Sequence, residues 1–193
     1  MEAAAKRRVI LLRHGITEAN RHHRYCGSTD LPLDPEALAE FRNNKPAYPD
    51  PTGCKVLTSG MCRTEQTLRE IYGELPHEIA PDFREIDFGV FENKSYEDLK
   101  DDPAYQAWLS GDNEQNVCPG GESGAQMAAR VIRAWNRLEG DVLLVSHGGV
   151  IACLMAYLFP EEAKSRYQWQ PKPFGGYLLT MENGGMRYEI IPE

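Results

Sequence analysis

Two short runs of this sequence end in nearly the same way. Val9-Ile10-Leu11-Leu12 leads into Arg13-His14-Gly15, and Val142-Leu143-Leu144-Val145 leads into Ser146-His147-Gly148-Gly149. Each delivers a histidine just past an apolar stretch and just before glycine. A third run, Val56-Leu57-Thr58, ends in Ser59-Gly60, with Arg63 four residues beyond Ser59. Singly, a histidine after a strand is more often structural, and an arginine early in a helix is usually a surface residue. The repeated context changes the weighing. If the three runs are neighbours, two histidines and two arginines converge on a pocket the size of a phosphoryl group. Arginine's planar fork matches phosphoryl oxygens, and the first turns of the following helices add free backbone N–H groups.

That convergence requires the runs to be adjacent strands. Each is short, apolar and stopped by glycine, as strands covered on both faces are. In open α/β sheets, functional groups gather at the carboxyl ends of strands. Helical patterns lie between the runs. Residues 62–72 carry Leu68, Ile71 and Tyr72; residues 123–138 carry Ala128, Val131, Ile132, Trp135 and Leu138 on one stripe. Residues 150–159 are apolar almost all round, which predicts a buried helix. Ser95 with Asp98 has the pattern of a capping box. Asp102-Pro103 has that of an N-cap with proline at the first helical position, closed by Gly111. Residues 76–121 therefore read as an irregular, partly helical, cap-like insertion. Pro46, Pro49 and Pro51 mark a loop. The 177–181 and 186–191 stretches, joined by Asn183-Gly184-Gly185, read as a β-hairpin or a final strand pair. Strands alternating with helices give an α/β class with a mainly parallel sheet.

A chain of 193 residues is one domain, 1–193, with room for its own core. Residues 1–7, including the helix-forming Glu2-Ala3-Ala4-Ala5-Lys6, read as an N-terminal extension. With 26% charged and 41% hydrophobic residues, the chain is neither disordered nor collagen-like. No apolar run approaches the ~20 residues of a membrane span. Cys26, Cys54, Cys62, Cys118 and Cys153 are odd in number and form no C-x-x-C, so neither a disulfide framework nor a zinc site is expected. Reduced thiols and the lack of a signal-peptide pattern predict a cytoplasmic protein. His22, His23 and His77 lack the carboxylate spacing of a metal site, so no metal or other cofactor is expected. Asp plus Glu is 29 and Lys plus Arg is 21, a formal net charge of −8. Such a surface repels nucleic acid. A small phosphate inside a locally basic pocket is another matter.

Together these segments resemble the histidine phosphatase superfamily in its phosphoglycerate-mutase-like branch. Residues 12–20, Leu-Arg-His-Gly-Ile-Thr-Glu-Ala-Asn, resemble its R-H-G signature. Residues 58–67, bearing Arg63, resemble its second segment. Arg84-Glu85-Ile86-Asp87-Phe88-Gly89, with Glu92, resembles the segment of its proton donor. Gly120-Gly121-Glu122-Ser123 and Ser146-His147-Gly148-Gly149 follow in the right order, so the resemblance covers roughly residues 8–159. It implies a three-layer α/β/α sandwich around a mainly parallel mixed sheet, with a small cap. It implies His14 as nucleophile and Glu85 as proton donor. Arg13, Arg63 and a protonated His147 would cradle the phosphoryl group, and Asn20, Gly27 and Gly148 would help to bind it.

The implied activity is hydrolysis of a small phosphorylated metabolite through a phosphohistidine, without metal, by a monomer or homodimer. A neutral imidazole attacks phosphorus, and neighbouring arginines keep it neutral. Glu85 then hands a proton to the departing alkoxide. The branch also contains cofactor-dependent phosphoglycerate mutases. Where those resemble Glu-Arg-His-Tyr, this chain has Glu85-Ile86-Asp87-Phe88, which favours a phosphatase. Residues 25–33 resemble both broad-specificity phosphatases and α-ribazole-5′-phosphate phosphatases of cobalamin synthesis. A non-catalytic phosphate-binding protein is disfavoured because every polar role is filled. Tyr96, Tyr105 and Trp108 are either the core of the cap or an apolar wall for the leaving group. His22, His23 and Arg24 either attract anions at the rim or are simply solvated.

Overall fold

The apolar runs are strands, and their register brings their ends level. In chain order the sheet comprises β1 (Arg7–Arg13), β2 (Lys55–Thr58), β3 (Glu78–Ile79), β4 (Val142–Ser146), β5 (Gly176–Glu182) and β6 (Gly185–Ile191). The helices are α1 (Glu18–Arg21), α2 (Pro35–Asn43), α3 (Cys62–Tyr72), α4 (Tyr96–Leu99), α5 (Pro103–Leu109), α6 (Gly124–Trp135), α7 (Gly148–Leu158) and α8 (Arg166–Trp169). The structure is a computed structural model that describes residues 6–112, 114–182 and 184–192. Across the sheet the order is β3-β2-β4-β1-β5-β6. The first four strands run parallel, β5 lies antiparallel to β1, and β6 antiparallel to β5.

Arg13 pairs with Ser146, so His14 and His147 step off adjacent strands at the same level. Thr58 pairs with Val145, which sets Ser59 and the start of α3 beside them.

Alternation along the central strands divides the core between two helical layers. Val9, Leu11, Val142 and Leu144 pack with Met127 and Val131 of α6 and Ile151 and Leu154 of α7. Ile10, Leu12, Leu143 and Val145 pack with Leu68 and Ile71 of α3 and with Leu38 and Phe41 of α2. Burying each such side chain stabilises the fold by about 1.5–3 kcal/mol. The result is the expected three-layer sandwich, and it holds the strand ends rigidly where the histidines emerge.

The cap forms as its capping residues predict. Ser95 and Asp98 make both bonds of a capping box on α4, and the Asp102 side chain accepts from the Ala104 N–H at the start of α5. Phe91, Leu99, Tyr105 and Cys118 make a small core with Tyr25, Phe88 and Trp108 against it. Tyr105 and Trp108 thus belong to the cap core, with the Tyr25 and Tyr105 hydroxyls 2.6 Å apart. Tyr96 rests on Tyr105 but is 55% exposed.

Three features differ from the sequence reading. Glu78–Ile79, at the start of the stretch read as a cap, adds to the sheet edge as β3; two exposed residues carry no strand pattern. Arg7, read as part of the extension, begins β1 opposite Met181. Helices α1 and α8 span four residues each, too few to show a period. Residues 1–5 and Asn183 of the hairpin turn lie outside the described residues.

Candidate active site

His14 is nearly buried, and its Nδ1 lies 2.6 Å from the carbonyl oxygen of Gly15. A carbonyl only accepts, so Nδ1 carries the proton and Nε2 keeps the lone pair. The loop is pinned from below: the Gly15 N–H donates to Thr67 Oγ1 (3.0 Å), whose hydroxyl donates to the Arg63 carbonyl (2.7 Å). Burial holds His14 well below the ordinary histidine range, with Arg63 and Arg13 pushing the same way against the bond to Gly15. The arginines expected to keep it neutral are thus the lesser cause, and desolvation is the larger.

Arg63 is fully buried. Its Nη1 donates to the Thr29 carbonyl (2.8 Å), its Nη2 to the Gly27 carbonyl (2.7 Å) and its Nε to His147 Nδ1 (3.3 Å). A guanidinium has five N–H donors. With these three engaged, one remains on each terminal nitrogen, a two-pronged donor suited to phosphoryl oxygens. The Arg63 contact also fixes His147. A ring nitrogen that accepts carries no proton, so the His147 proton sits on Nε2, 2.9 Å from Ser59 Oγ. The two imidazole rings lie 5.2 Å apart at 64°. His147 therefore does not carry the second proton that the resemblance implies. Burial, then His14 and Arg63, hold it well below the ordinary range, and its one N–H is directed at Ser59 Oγ.

Arg13 donates from Nη1 to the Pro171 carbonyl (2.8 Å), while its buried Nε–H has no acceptor among the described residues. Such a donor costs free energy until an anion takes it. Asn20 caps α1: its Oδ1 accepts from the Thr17 N–H and Oγ1, both at 3.0 Å, which leaves its amide N–H groups for the pocket. Arg13 and Asn20 line a cavity of about 440 Å³ with Ile16, Arg21, His23, Arg24 and Pro173. Arg21 is neutralised by Asp34 (2.7 Å) and Glu36 (3.1 Å), whereas the nearest carboxylate to Arg24 is Glu18 at 3.8 Å. This cavity thus stays basic on a molecule of net charge −8; His14, Arg63 and His147 do not line it, and Glu85 lines another, with Arg84 and Asp87. His22 is exposed and does not line this cavity.

Glu85 is held at the start of α7, where Gly148 lies beside Arg13. Its Oε2 accepts from the Gly149 N–H (2.9 Å) and its Oε1 from the Ile86 N–H (3.1 Å). A Cβ on residue 149 would lie 2.4 Å from Glu85 Oε1, the end of a flexible side chain. Gly149→Ala should therefore fold with an unchanged or slightly raised thermal midpoint, since alanine suits a helix better by up to ~1 kcal/mol. The displaced carboxylate should lower kcat on the order of 10²-fold, as loss of a placed general acid does. Unaltered kcat would contradict the role of Glu85.

Gly27 works differently from the phosphate contact expected of it. Its N–H donates to the Glu92 carboxylate (3.0 Å) and its carbonyl holds Arg63, so it shapes the cradle from outside. Two residues escaped the sequence reading of roles. Ser59 faces His147, and Glu92 anchors the 27–29 loop. Both act through contacts to distant segments, which no local spacing encodes. Among the described residues no group of three or more His, Cys, Asp or Glu could hold a metal ion.

The model of the histidine phosphatase superfamily (branch 1) matches residues 9–191. The adenosylcobalamin/alpha-ribazole phosphatase of Salmonella typhimurium is 31% identical over 173 residues, covering 84% of this chain and 85% of that one. The alpha-ribazole phosphatase from Shigella flexneri superposes with a TM-score of 0.81 at 26% identity, covering 96% of both chains. A phosphoglycerate mutase from Thermus thermophilus superposes at 0.68 with 31% identity, covering 90% of this chain and 92% of that one. The chain belongs to the histidine phosphatase superfamily, branch 1.

Proposed function

We propose that this protein is a phosphatase that hydrolyses small phosphomonoesters through a phosphohistidine on His14. One observation carries the reading: a buried, neutral His14 with its lone pair on Nε2, beside the fully buried Arg63 with two N–H donors to spare. In the first step Nε2 bonds to phosphorus and the bond to the leaving oxygen breaks, that oxygen taking a proton from Glu85. In the second, water bonds to phosphorus and gives its proton to Glu85 as the P–N bond breaks and phosphate departs. Arg13 and Arg63 stabilise the equatorial oxygens, the task divalent cations perform in other phosphoryl transfers, while His147, donating from Nε2 to Ser59 Oγ, holds Arg63 Nε.

Hydrolysis is favoured over mutase chemistry by Ile86 and Asp87, which stand where the mutases have a basic pair. Ile86 is buried, and Asp87 accepts from Ser28 Oγ at 2.9 Å. Neither offers a cation for a second acidic group. The relatives named for alpha-ribazole make α-ribazole 5′-phosphate the first physiological substrate to try. We place the enzyme in a reducing compartment, the cytoplasm, a reading supported by five free cysteines.

The test is hydrolysis of p-nitrophenyl phosphate in EDTA, with acid-labile, base-stable phosphate trapped on His14. A panel of α-ribazole 5′-phosphate, 3-phosphoglycerate and sugar phosphates, with and without 2,3-bisphosphoglycerate, extends it. Activity in EDTA with phosphate release is expected. Strict metal dependence, or isomerisation of 3-phosphoglycerate in place of release, would overturn the reading.

A further inference from the structure

We propose that Glu92 is a positioning residue that sets the aim of Arg63, and through Arg63 the orientation of His147; this deepens the phosphatase reading and rests on it. The Glu92 carboxylate collects donors from one loop and one turn. It accepts from the backbone N–H groups of Gly27 (3.0 Å), Ser28 (2.9 Å) and Thr29 (3.2 Å), from Thr29 Oγ1 (2.6 Å) and from the Phe88 N–H (3.0 Å). Three successive N–H groups converging on one carboxylate turn the carbonyls of that loop the other way. Two of those carbonyls, Gly27 and Thr29, are the acceptors of Arg63 Nη2 and Nη1.

A buried guanidinium with all three nitrogens engaged has one orientation, and its two remaining N–H vectors follow from it. The third bond, Nε to His147 Nδ1, carries the constraint to the second histidine. The loop has no freedom to reach this arrangement in another register. A Cβ on Gly27 would lie 1.6 Å from the Ile86 carbonyl oxygen, so the loop backbone lies directly on the segment of Glu85. One carboxylate thus holds the phosphate cradle against the segment that bears the proton donor.

The experiment measures competitive inhibition of p-nitrophenyl phosphate hydrolysis by inorganic phosphate, together with kcat. Wild type, Glu92→Gln, Glu92→Asp, Thr29→Val and the double variant Glu92→Gln/Arg63→Ala are compared, with folding checked by circular dichroism. A glutamine presents one oxygen and one N–H₂ to a set of donors, so it breaks the convergence without shortening the side chain. Glu92→Gln should raise the phosphate inhibition constant about 10–100-fold, the scale of a ~1 Å misplacement of a binding group. Glu92→Asp should recover part of that loss. Thr29→Val, which removes one donor of five and leaves the backbone bonds, should raise the constant severalfold, less than Glu92→Gln does. With Arg63→Ala already present, Glu92→Gln should add nothing.

A merely structural carboxylate would lower thermal stability and leave the inhibition constant at its wild-type value in the folded fraction. That result, or an equal rise with and without Arg63, overturns the inference while the phosphatase reading stands. If Glu92→Gln and Glu92→Asp do not fold, an unchanged constant in Thr29→Val overturns it and a measurable rise supports it. A wild type that neither hydrolyses the ester nor is inhibited by phosphate overturns both.

Discussion

His14→Asn should abolish turnover while leaving the fold in place. Asparagine's amide N–H₂ can take over the role of Nδ1, donating to the Gly15 carbonyl that lies 2.6 Å from the native ring. The loop between β1 and α1 therefore keeps its anchor. What the variant lacks is Nε2, the atom that bonds to phosphorus. Removing a nucleophile that acts as part of a unit costs roughly 10⁴–10⁶ in rate. Steady-state hydrolysis and trapping of labelled phosphate on the protein both report the loss, and residual activity within tenfold of wild type would exclude His14.

The same residue governs the response to acid. Burial holds both His14 and His147 well below the ordinary histidine range, so the folded state stays neutral where an unfolded histidine, with a pKa of about 6.5, takes up a proton. The unfolded state then binds more protons, and stability falls as pH drops below about 6.5. It is fully present above that pH. Each such histidine contributes a slope of at most about 1.4 kcal/mol per pH unit. Denaturant melts of His14→Asn should show a shallower acid limb than wild type. The pH dependence of catalytic efficiency, corrected for the second ionisation of the phosphate ester near about pH 6, should show no inflection at about 6.5 from His14.

Much of this site was readable because its parts sit where the backbone changes character. Strand-to-glycine transitions mark His14 and His147, and the buried alternation of β1 and β4 forces them together. Helix α3 carries Arg63 in its first turn, one turn past a third strand. Glu85 and Asn20 follow from their segments; Asn20 lines the cavity at Arg13, and Glu85 lines a separate one with Arg84 and Asp87. The parts that were not readable share one cause. Gly27, Ser59 and Glu92 act through hydrogen bonds between segments far apart in the chain, and the residue type alone does not reveal the partner. The charge of His147 was misjudged for the same reason. Its tautomer depends on Arg63 Nε, 84 positions away, and not on its own neighbours. The acidic total hides the site in another way. It averages over the surface, while the basic groups are gathered at the ends of β1, β2 and β4.

Arg63→Met should damage activity and stability together. Methionine fills part of the volume and restores none of the donors. Three buried acceptors then lose their partner: the Gly27 and Thr29 carbonyls and His147 Nδ1. Leaving a buried acceptor unmade costs about 1–3 kcal/mol each. The three do not sum fully, because the 27–29 loop is partly exposed and can rotate toward water, so a loss of about 3–5 kcal/mol is expected from chemical denaturation. On the catalytic side, the two remaining N–H donors disappear from the phosphate cradle. Deleting one preorganised donor costs about 10²–10³ in kcat. Here a charged pair of donors goes, and His147, freed from the bond at Nδ1, loses the contact that fixes its tautomer. Catalytic efficiency should therefore drop by roughly 10³-fold or more, on the order of 4 kcal/mol, at a temperature where the variant is folded. Arg63→Lys separates the contributions. A lysine restores the charge as a point but cannot bind two carbonyls and a histidine at once, so it should recover some stability and little activity. Full recovery by lysine would show that charge alone, and not the fixed fork, makes the site.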